Sequence, residues 1–272
     1  AVHAGHGEFP RIVLASGDIR ECFYDAARSF NYAERFQLPV IHLIDKAMAN
    51  CSQTYPVFDT GHFKIQRGEI LDEAKLKDLS YKRFSLTETG VSPRVFLGTR
   101  NGVHWYTGDE HNEFGHISEE PFNRIKMVEK RMRKLELIDK EVPVEDKVNF
   151  FGDKHSENLV VSWGSPKGAI LEAMEMLEAE GFSLGFMQLR MLHPLPKEYV
   201  AEAVKTTKRV IDIEGNYMGQ LGGMLKEQAG VQVNYYVLKY TGRPITTTEV
   251  YIALKNILSG QAPERQVLNY GS

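Results

Sequence analysis

The densest grouping of chemically able side chains is the run Gly108-Asp109-Glu110-His111-Asn112-Glu113-Phe114-Gly115-His116, which sets three carboxylates and two imidazoles within eight positions. Such a set could supply metal ligands or a general acid and base. A zinc-protease site needs H-E-x-x-H on one helical face. Here the order is Glu110-His111-Asn112-Glu113 between glycines 108 and 115, so no helix can be assumed. Three readings stay open: a loop held by its own hydrogen bonds that shapes a pocket or an interface, proton transfer by His111 or Glu113, and a metal site. Asp109, Glu110, His111, Glu113 and His116 are therefore pocket or interface candidates, without a metal assignment.

A second candidate is Gly215-Asn-Tyr-Met-Gly219-Gln-Leu-Gly222-Gly223, between a strand and a helix. Backbone amides at such a helix N-terminus suit a phosphate. Neither G-x-G-x-x-G nor G-K-[ST] is present, and the glycines equally allow a tight turn and close helix–sheet packing. Glu214 precedes this run at the carboxyl end of a parallel strand, where such sheets carry functional groups, or it is a surface acid capping the next turn. A third candidate, Gly5-His6-Gly7-Glu8-Phe9-Pro10, reads as a flexible approach to a neighbouring chain or as a plain turn before a strand. Cys22 falls on the apolar face of its helix and reads as core rather than nucleophile.

These groups must be positioned by alternating strands and helices. The stretch Leu159 to Gly223 organises the chain. Leu159–Trp163 is a short apolar β-forming run, and Gly164-Ser165-Pro166 breaks it, with Ser165 as N-cap and Pro166 at the first helical position. Ile170, Ala173, Met174 and Leu177 give a helical stripe that stops at Gly181. Leu184–Leu192 reads as one strand, Pro194–Val204 as a turn and helix, and Lys208–Ile213 as a third strand. Parallel pairing with right-handed crossovers is expected. A helix follows Gly223, then the strand Val233–Leu238 and a final helix Glu249–Leu258 behind a Thr246-Thr-Thr248 cap.

Towards the amino terminus, Arg11–Ala15 is a buried-type strand. Asp18-Ile-Arg-Glu21 matches a D-x-x-E capping box and opens a helix of roughly five turns, and Pro39 introduces the strand Val40–Ile44. Two or three strands make no free-standing sheet, so residues 1–60 read as the remnant of an α/β domain. Residues 61–157 read as a loop-rich connection, with Tyr81–Leu86 a possible edge strand. It includes a helix from Glu120 whose Lys126, Lys130, Arg131, Arg133 and Lys134 lie on or beside a solvated polar face, and a linker at Lys140–Glu157. Residues 158–260 form a second α/β domain, and 261–272 a loose tail.

Composition narrows the class. There are 33 basic against 36 acidic residues, a net charge of -3, which gives no basic bias towards nucleic acid. No apolar run approaches the ~18 residues of a membrane span. The two cysteines, Cys22 and Cys51, make no disulfide framework, and a reducing, cytoplasmic setting is expected. Two thiols cannot by themselves hold a four-cysteine iron–sulfur cluster. The sequence starts Ala1-Val-His without methionine, which suggests the later part of a longer polypeptide.

Several of these segments together resemble a known family. G-H-G-E-F-P-R-I-V-L at 5–14, G-D-I-R-E-C-F-Y-D at 17–25, N-Y-A-E-R-F-Q-L-P-V-I at 31–41 and G-D-E-H-N-E-F-G-H-I-S-E at 108–119 are similar to the alpha subunit of archaeal-type 2-oxoacid:ferredoxin oxidoreductases. W-G-S-P-K-G-A-I-L-E-A at 163–173, M-L-H-P-L-P at 191–196 and I-E-G-N-Y-M-G-Q-L-G at 213–222 resemble the transketolase C-terminal domain as that family carries it. The resemblance implies an incomplete parallel α/β domain of the thiamine diphosphate pyrimidine-binding type, followed by a parallel-sheet transketolase C-terminal-like domain. It also implies a thiamine diphosphate enzyme that oxidatively decarboxylates a 2-oxoacid, such as pyruvate or 2-oxoglutarate, to acyl-CoA and CO2, and passes electrons through a 4Fe-4S cluster to ferredoxin.

Departures limit what carries over. The family's Y-P-I-T-P motif, catalytic glutamate and substrate arginine of the amino-terminal part are missing, as is the G-D-G…N signature for Mg2+ and diphosphate expected on a separate beta subunit. No catalytic, cofactor or metal residue is assigned, and this piece alone is expected to be inactive. The implied partners are the amino-terminal part of the alpha subunit, a beta subunit carrying thiamine diphosphate and the cluster, ferredoxin, coenzyme A and the 2-oxoacid. Two alternatives remain: a beta-type subunit of another thiamine-dependent 2-oxoacid dehydrogenase, and a non-enzymatic α/β binding module.

Overall fold

Ile12–Ala15 (β1) is fully buried, and the chain leaves it through Ser16 and Gly17 into an eighteen-residue helix, Ile19–Phe36 (α1). Only half of the expected capping box forms. Asp18 Oδ1 accepts the Glu21 N–H at 2.7 Å, but the Glu21 carboxylate turns to the Gly17 N–H at 2.6 Å. Val40–Leu43 (β2) follows, then one turn, Lys46–Ala49 (α2), capped by Asp45. The computed structural model describes residues 1–61, 63–78 and 80–269.

Residues Ala1–Ile12, Ala27–Ile41 and Asp59–Glu141 make one compact unit, and Val13–Ala26, His42–Phe58 and Val142–Ser272 a second. These units do not follow the boundaries at 60 and 157 read from sequence. In the first unit, the stretch ahead of Pro121–Glu141 (α3) is mostly irregular, around a small core of Leu76, Tyr81 and Val95. Tyr81–Leu86 is not an edge strand. Its amides bond within a turn, Ser85 N–H to Lys82 O at 3.2 Å, and to the 108–116 loop, Phe84 N–H to Glu113 O at 2.9 Å. Nor are all the α3 cations on a solvated face: Lys130 and Lys134 are 5% and 7% exposed. Gly90 explains part of this. Its φ of 79° admits glycine, and a Cβ there would lie 2.2 Å from the Lys130 carbonyl, so the turn sits directly on the helix.

In the second unit the segment read as a linker contains a short helix, Val144–Lys147 (α4), and a strand, Val148–Gly152 (β3). Asn158–Ser162 (β4), Pro166–Ala179 (α5) and Gly185–Leu189 (β5) follow. The single strand expected over Leu184–Leu192 is in fact two. The chain breaks at Arg190, whose amide donates to Lys147 O at 2.8 Å and whose carbonyl accepts from Ala15 at 2.8 Å, and Met191–His193 (β6) joins another sheet. Lys197–Ala203 (α6), Arg209–Glu214 (β7), Gln220–Ala229 (α7), Tyr235–Leu238 (β8) and Thr247–Leu258 (α8) complete the alternation. Arg265–Val267 (β9) is a strand where a loose tail was expected; its pairing with β8 satisfies backbone groups that a tail would leave to water. Residues 270–272 of that segment lie outside the described residues.

The larger sheet has the order β3-β5-β4-β7-β8-β9, parallel except for β3 at one edge. Val160, Phe186, Ile211, Ile213 and Val237 of its strands pack with Ile170 and Leu177 of α5 and Val250, Leu254 and Ile257 of α8, all essentially inaccessible. The smaller sheet has the order β2-β1-β6, with β6 antiparallel to β1. The architecture is thus α/β as expected. The amino-terminal βαβ piece gains its third strand from far along the chain. The direction of travel reverses between β4 and β7: the chain goes from β4 outward to β5, and from β7 the other way to β8. The carboxyl ends of β4 and β7 are therefore the switch point at which open α/β sheets bind ligands.

Candidate functional site

The loop 108–116 is a clamp. Glu110 takes a bidentate fork from Arg131 at 2.9 and 2.7 Å, with Arg124 at 3.6 Å, and the Arg131 hydrogen bonds hold its carboxyl below the usual range. Glu113 accepts from Lys82 at 2.9 Å and from the Leu86 amide at 3.0 Å. Burial works to raise Glu113, but Lys82 and that amide win and its carboxyl also stays low. The Asn112 side chain accepts from the Phe114 and His116 amides. His111 lies on Phe84 with centroids 4.0 Å apart, and His116 sits beside Trp105 at 5.6 Å. Gly115, φ 90°, passes so close to the Trp105 carbonyl that a Cβ would be 2.1 Å from it. Asp109 points into solvent and is not drawn into the cluster.

Among the described residues no three His, Cys, Asp or Glu side chains converge as metal ligands. With both glutamates neutralised by cations, the loop has little basicity to offer a proton-transfer reaction. What it does offer is display: Trp105, Tyr106, Ile117 and Phe122 are each more than 60% exposed around it, a concentration of apolar surface typical of an interaction site.

Glu214 is not a surface acid. It is 1% exposed and accepts from the Leu221 amide at 2.7 Å, Trp163 Nε1 at 2.8 Å and Asn216 Nδ2 at 2.6 Å. Two residues back, the fully buried Asp212 accepts from the Gly222 amide at 3.0 Å, while its Oδ1 has no hydrogen-bond partner among the described residues. Burial, then the neighbouring Glu214, push the Asp212 carboxyl well above its ordinary range. Two carboxyl groups thus occupy the first amides of α7. A ligand phosphate or diphosphate finds that helix end already filled, and Gly219 and Gly222 serve close packing, since a Cβ at either would meet Tyr236 at 2.6 Å.

A third assembly was not read from the sequence. At the carboxyl end of β1, Glu21 collects Lys167 at 2.6 Å, Gln188 at 2.8 Å and Asn149 at 2.9 Å besides the Gly17 amide. Asp25 pairs with Arg190 and accepts from Ser16 Oγ at 2.8 Å, and Ser16 Oγ in turn lies 2.7 Å from His42 Nε2. Glu21, Asp25, Gln188 and Arg190 are all under 7% exposed. One signal was available: Asp18, Glu21 and Asp25 recur at helical spacing on the inward face of α1, where apolar residues belong. The first two were accounted for by the capping motif. On either side of the His6–Glu8 segment, the Arg11 guanidinium donates to the Ala1 carbonyl at 3.1 Å and lies 3.8 Å over the Phe9 ring.

The site thus comprises an α/β sheet whose switch-point helix end is occupied by carboxyl groups and an aromatic loop clamped by ion pairs. Comparison with known proteins places the chain in a family. The family "Pyruvate flavodoxin/ferredoxin oxidoreductase, thiamine diP-bdg" matches residues 2–130, and "Pyruvate:ferredoxin oxidoreductase core domain II" matches 156–250. The 2-oxoacid:ferredoxin oxidoreductase subunit alpha of Saccharolobus solfataricus is 46% identical over 100% of this chain and 42% of its own length. The 2-oxoglutarate oxidoreductase subunit KorA of Mycobacterium tuberculosis is 29% identical over 97% of this chain and 39% of its own. The structure of 2-oxoglutarate:ferredoxin oxidoreductase from Magnetococcus marinus, with 2-oxoglutarate, coenzyme A and succinyl-CoA bound, superposes with a TM-score of 0.84 at 32% identity, covering 93% of this chain and 43% of that one.

The chain belongs to the 2-oxoacid:ferredoxin oxidoreductase alpha-subunit family, whose enzymes use thiamine diphosphate. It spans about four-tenths of the length of these two curated relatives, 42% of the first and 39% of the second. Its described residues do not fit the diphosphate end of that cofactor: the α7 amides are taken by Glu214 and Asp212, and no metal-ligand set accompanies them.

Proposed function

We propose that this chain is part of the alpha subunit of an enzyme that oxidatively decarboxylates a 2-oxoacid with coenzyme A and reduces ferredoxin, and that its own work is structural and assembly-forming. The observation that carries the reading is 46% identity to a named alpha subunit along the entire chain. Thiamine diphosphate, Mg2+ and a 4Fe-4S cluster then belong to the assembled enzyme. They are held by the amino-terminal part of the alpha subunit and by a beta subunit, in a cytoplasmic setting. Among the described residues no helix is long and apolar enough to cross a membrane.

Within that assembly the Asp109–His116 loop meets a neighbouring subunit. Its internal bonds fix the backbone before contact, so little ordering entropy remains to be lost when Trp105 and Ile117 are covered. Glu214 contributes by holding the 215–219 turn. The test is co-expression with the companion polypeptides, followed by assay of 2-oxoacid-dependent ferredoxin reduction and acyl-CoA formation. The purified complex should be brown and active with 2-oxoglutarate or pyruvate. A colourless chain that recruits no companion and supports no turnover would refute the reading.

A further inference from the structure

His42 is the third residue of β2, at the carboxyl edge of the smaller sheet, and its imidazole is anchored from one side only. Nε2 lies 2.7 Å from Ser16 Oγ. The Ser16 hydroxyl has one proton, and Asp25 beside it is paired with Arg190 and can only accept, so that proton goes to Asp25 Oδ2 at 2.8 Å. Ser16 Oγ must then receive its hydrogen bond from His42 Nε2–H. Neutral imidazole carries one N–H, so Nδ1 bears the lone pair. That atom has no protein partner among the described residues, yet it is not one of the sealed-in unpaired atoms.

Burial favours the neutral ring, Asp25 opposes this and Arg190 supports it, with the net effect that His42 titrates below its ordinary range. The other groups nearby are Asp18 and Glu21, both tied to Lys167, and Cys22, whose thiol is raised by burial.

We infer that Ser16, Asp25 and Arg190 form a buried relay that fixes His42 as the Nε2–H tautomer, so that Nδ1 is a permanent hydrogen-bond acceptor for an N–H or O–H donor on a ligand. The chemistry of that acceptor selects its ligand. A 2-oxoacid anion presents only acceptors and gains nothing from Nδ1. Coenzyme A, which carries amide, amino and hydroxyl donors, matches it. This assignment rests on the proposed function for its ligand, but the tautomer itself does not.

The experiment has two arms. In the 272-residue chain labelled with 15N-histidine, two-bond proton–nitrogen correlations read the His42 tautomer directly. The Nε2–H form should persist throughout pH 6–8, and Ser16→Ala should release a mixture of tautomers. An Nδ1–H ring in the wild-type protein overturns the proposal, whatever the enzyme does. In the assembled enzyme, His42→Asn keeps an acceptor at the Nδ1 position, whereas His42→Gln keeps a donor only at the Nε2 position. The Asn variant should retain at least tenfold more kcat/KM for coenzyme A, with KM for the 2-oxoacid alike in both. Equal values for the two variants, or a change confined to the 2-oxoacid, overturn the ligand assignment. An assembly without any 2-oxoacid oxidation would instead refute the proposed function, leaving the tautomer measurement to stand by itself.

Discussion

Two regions of this molecule put charge where water does not reach, and they do so in opposite ways. Beside α1, Glu21 and Asp25 face Lys167 and Arg190, with Gln188 and Asn149 supplying the remaining donors. On α3, Lys130 and Lys134 are buried one turn apart with Arg83 and Arg131 near both, and among the described residues Arg133 adds to, and Glu113 opposes, the positive charge at Lys130. The first cluster is balanced, so its groups are fixed by each other. The second is not, and its lysines hold their protons less tightly than free lysines do. Burial, then the surrounding arginines, bring Lys130 to about 8, and burial, then Lys130 itself, bring Lys134 to about 7. Balanced burial specifies geometry, whereas unbalanced burial makes stability depend on pH.

Removing one member of the balanced set is the severest way to break that comparison. Glu21→Ala strands Lys167 beside a single carboxylate and leaves the Gln188, Asn149 and Gly17 donors without their acceptor. A loss of about 3–5 kcal/mol is expected, read as a large fall in the urea midpoint. A loss below about 1 kcal/mol would mean the cluster is solvated after all. Arg190→Met should behave similarly because the buried Asp25 carboxylate would lose its guanidinium partner.

The lysine pair predicts the opposite sign. A lysine with a lowered folded value binds fewer protons folded than unfolded between that value and its ordinary one. Stability therefore rises with pH across the window, from about 8 to 10.5 for Lys130 and from about 7 to 10.5 for Lys134. Below the window the full penalty is present. Lys130→Met removes an ammonium that has no hydrogen-bond partner among the described residues and should stabilise the chain at pH 7 by about 1–3 kcal/mol. It should also flatten the alkaline rise, which denaturation at pH 7 and pH 10 would measure. Lys134→Met should gain less, since Lys134 Nζ donates to the Gln37 carbonyl at 2.9 Å and that acceptor would lose its partner.

How much of this was legible beforehand follows from the kind of signal each feature leaves. The strand–helix alternation after Leu159 could be read because Pro166, Gly181 and the Thr246 cap are local instructions, and Thr246 and Glu249 do form a reciprocal capping box. The split at Arg190 could not, because nothing in Leu184–Leu192 says that two sheets compete for it. The buried lysines were hidden for a related reason: a cation every third or fourth residue looks solvated until another segment, here the Gly90 turn, is laid over it. The loop at 108–116 was recognisable as a unit, and a loop held by its own hydrogen bonds was among its readings, but its ion-pair partners were not. Whether Glu110 is a base or half of an ion pair depends on Arg131, twenty-one residues away. Nor does Glu21 betray in sequence that it abandons its capping role for partners beyond position 140.

Asp212 sharpens the comparison, being a buried acid rather than a buried base. Its raised value means the folded chain binds the proton more tightly, so stability falls as pH rises above the ordinary aspartate range near 3.8. Asp212→Asn keeps a donor towards Glu214 and removes the titration. It should be neutral or stabilising by up to about 1 kcal/mol at pH 7, and should cost stability only at pH 4 and below. A clear loss at pH 7 would show that Asp212 is ionised in the fold.

The smallest effect is expected where charge pairs meet water. Arg131 is 34% exposed and Glu110 10%, so their fork lies between the two buried clusters and the open surface. Glu110→Gln keeps the size and one acceptor but gives up the charge, and about 0.5–1 kcal/mol should be lost. Because Glu110 sits below the ordinary glutamate range, its contribution is present above that range and disappears as the pH falls through its lowered value. Salt should weaken it as well. A thermal-shift comparison of wild type and variant at low and high salt would therefore converge at high salt. Should the gap persist there, the fork is as shielded as the Glu21 cluster, and the distinction between surface clamp and buried hub fails at this loop.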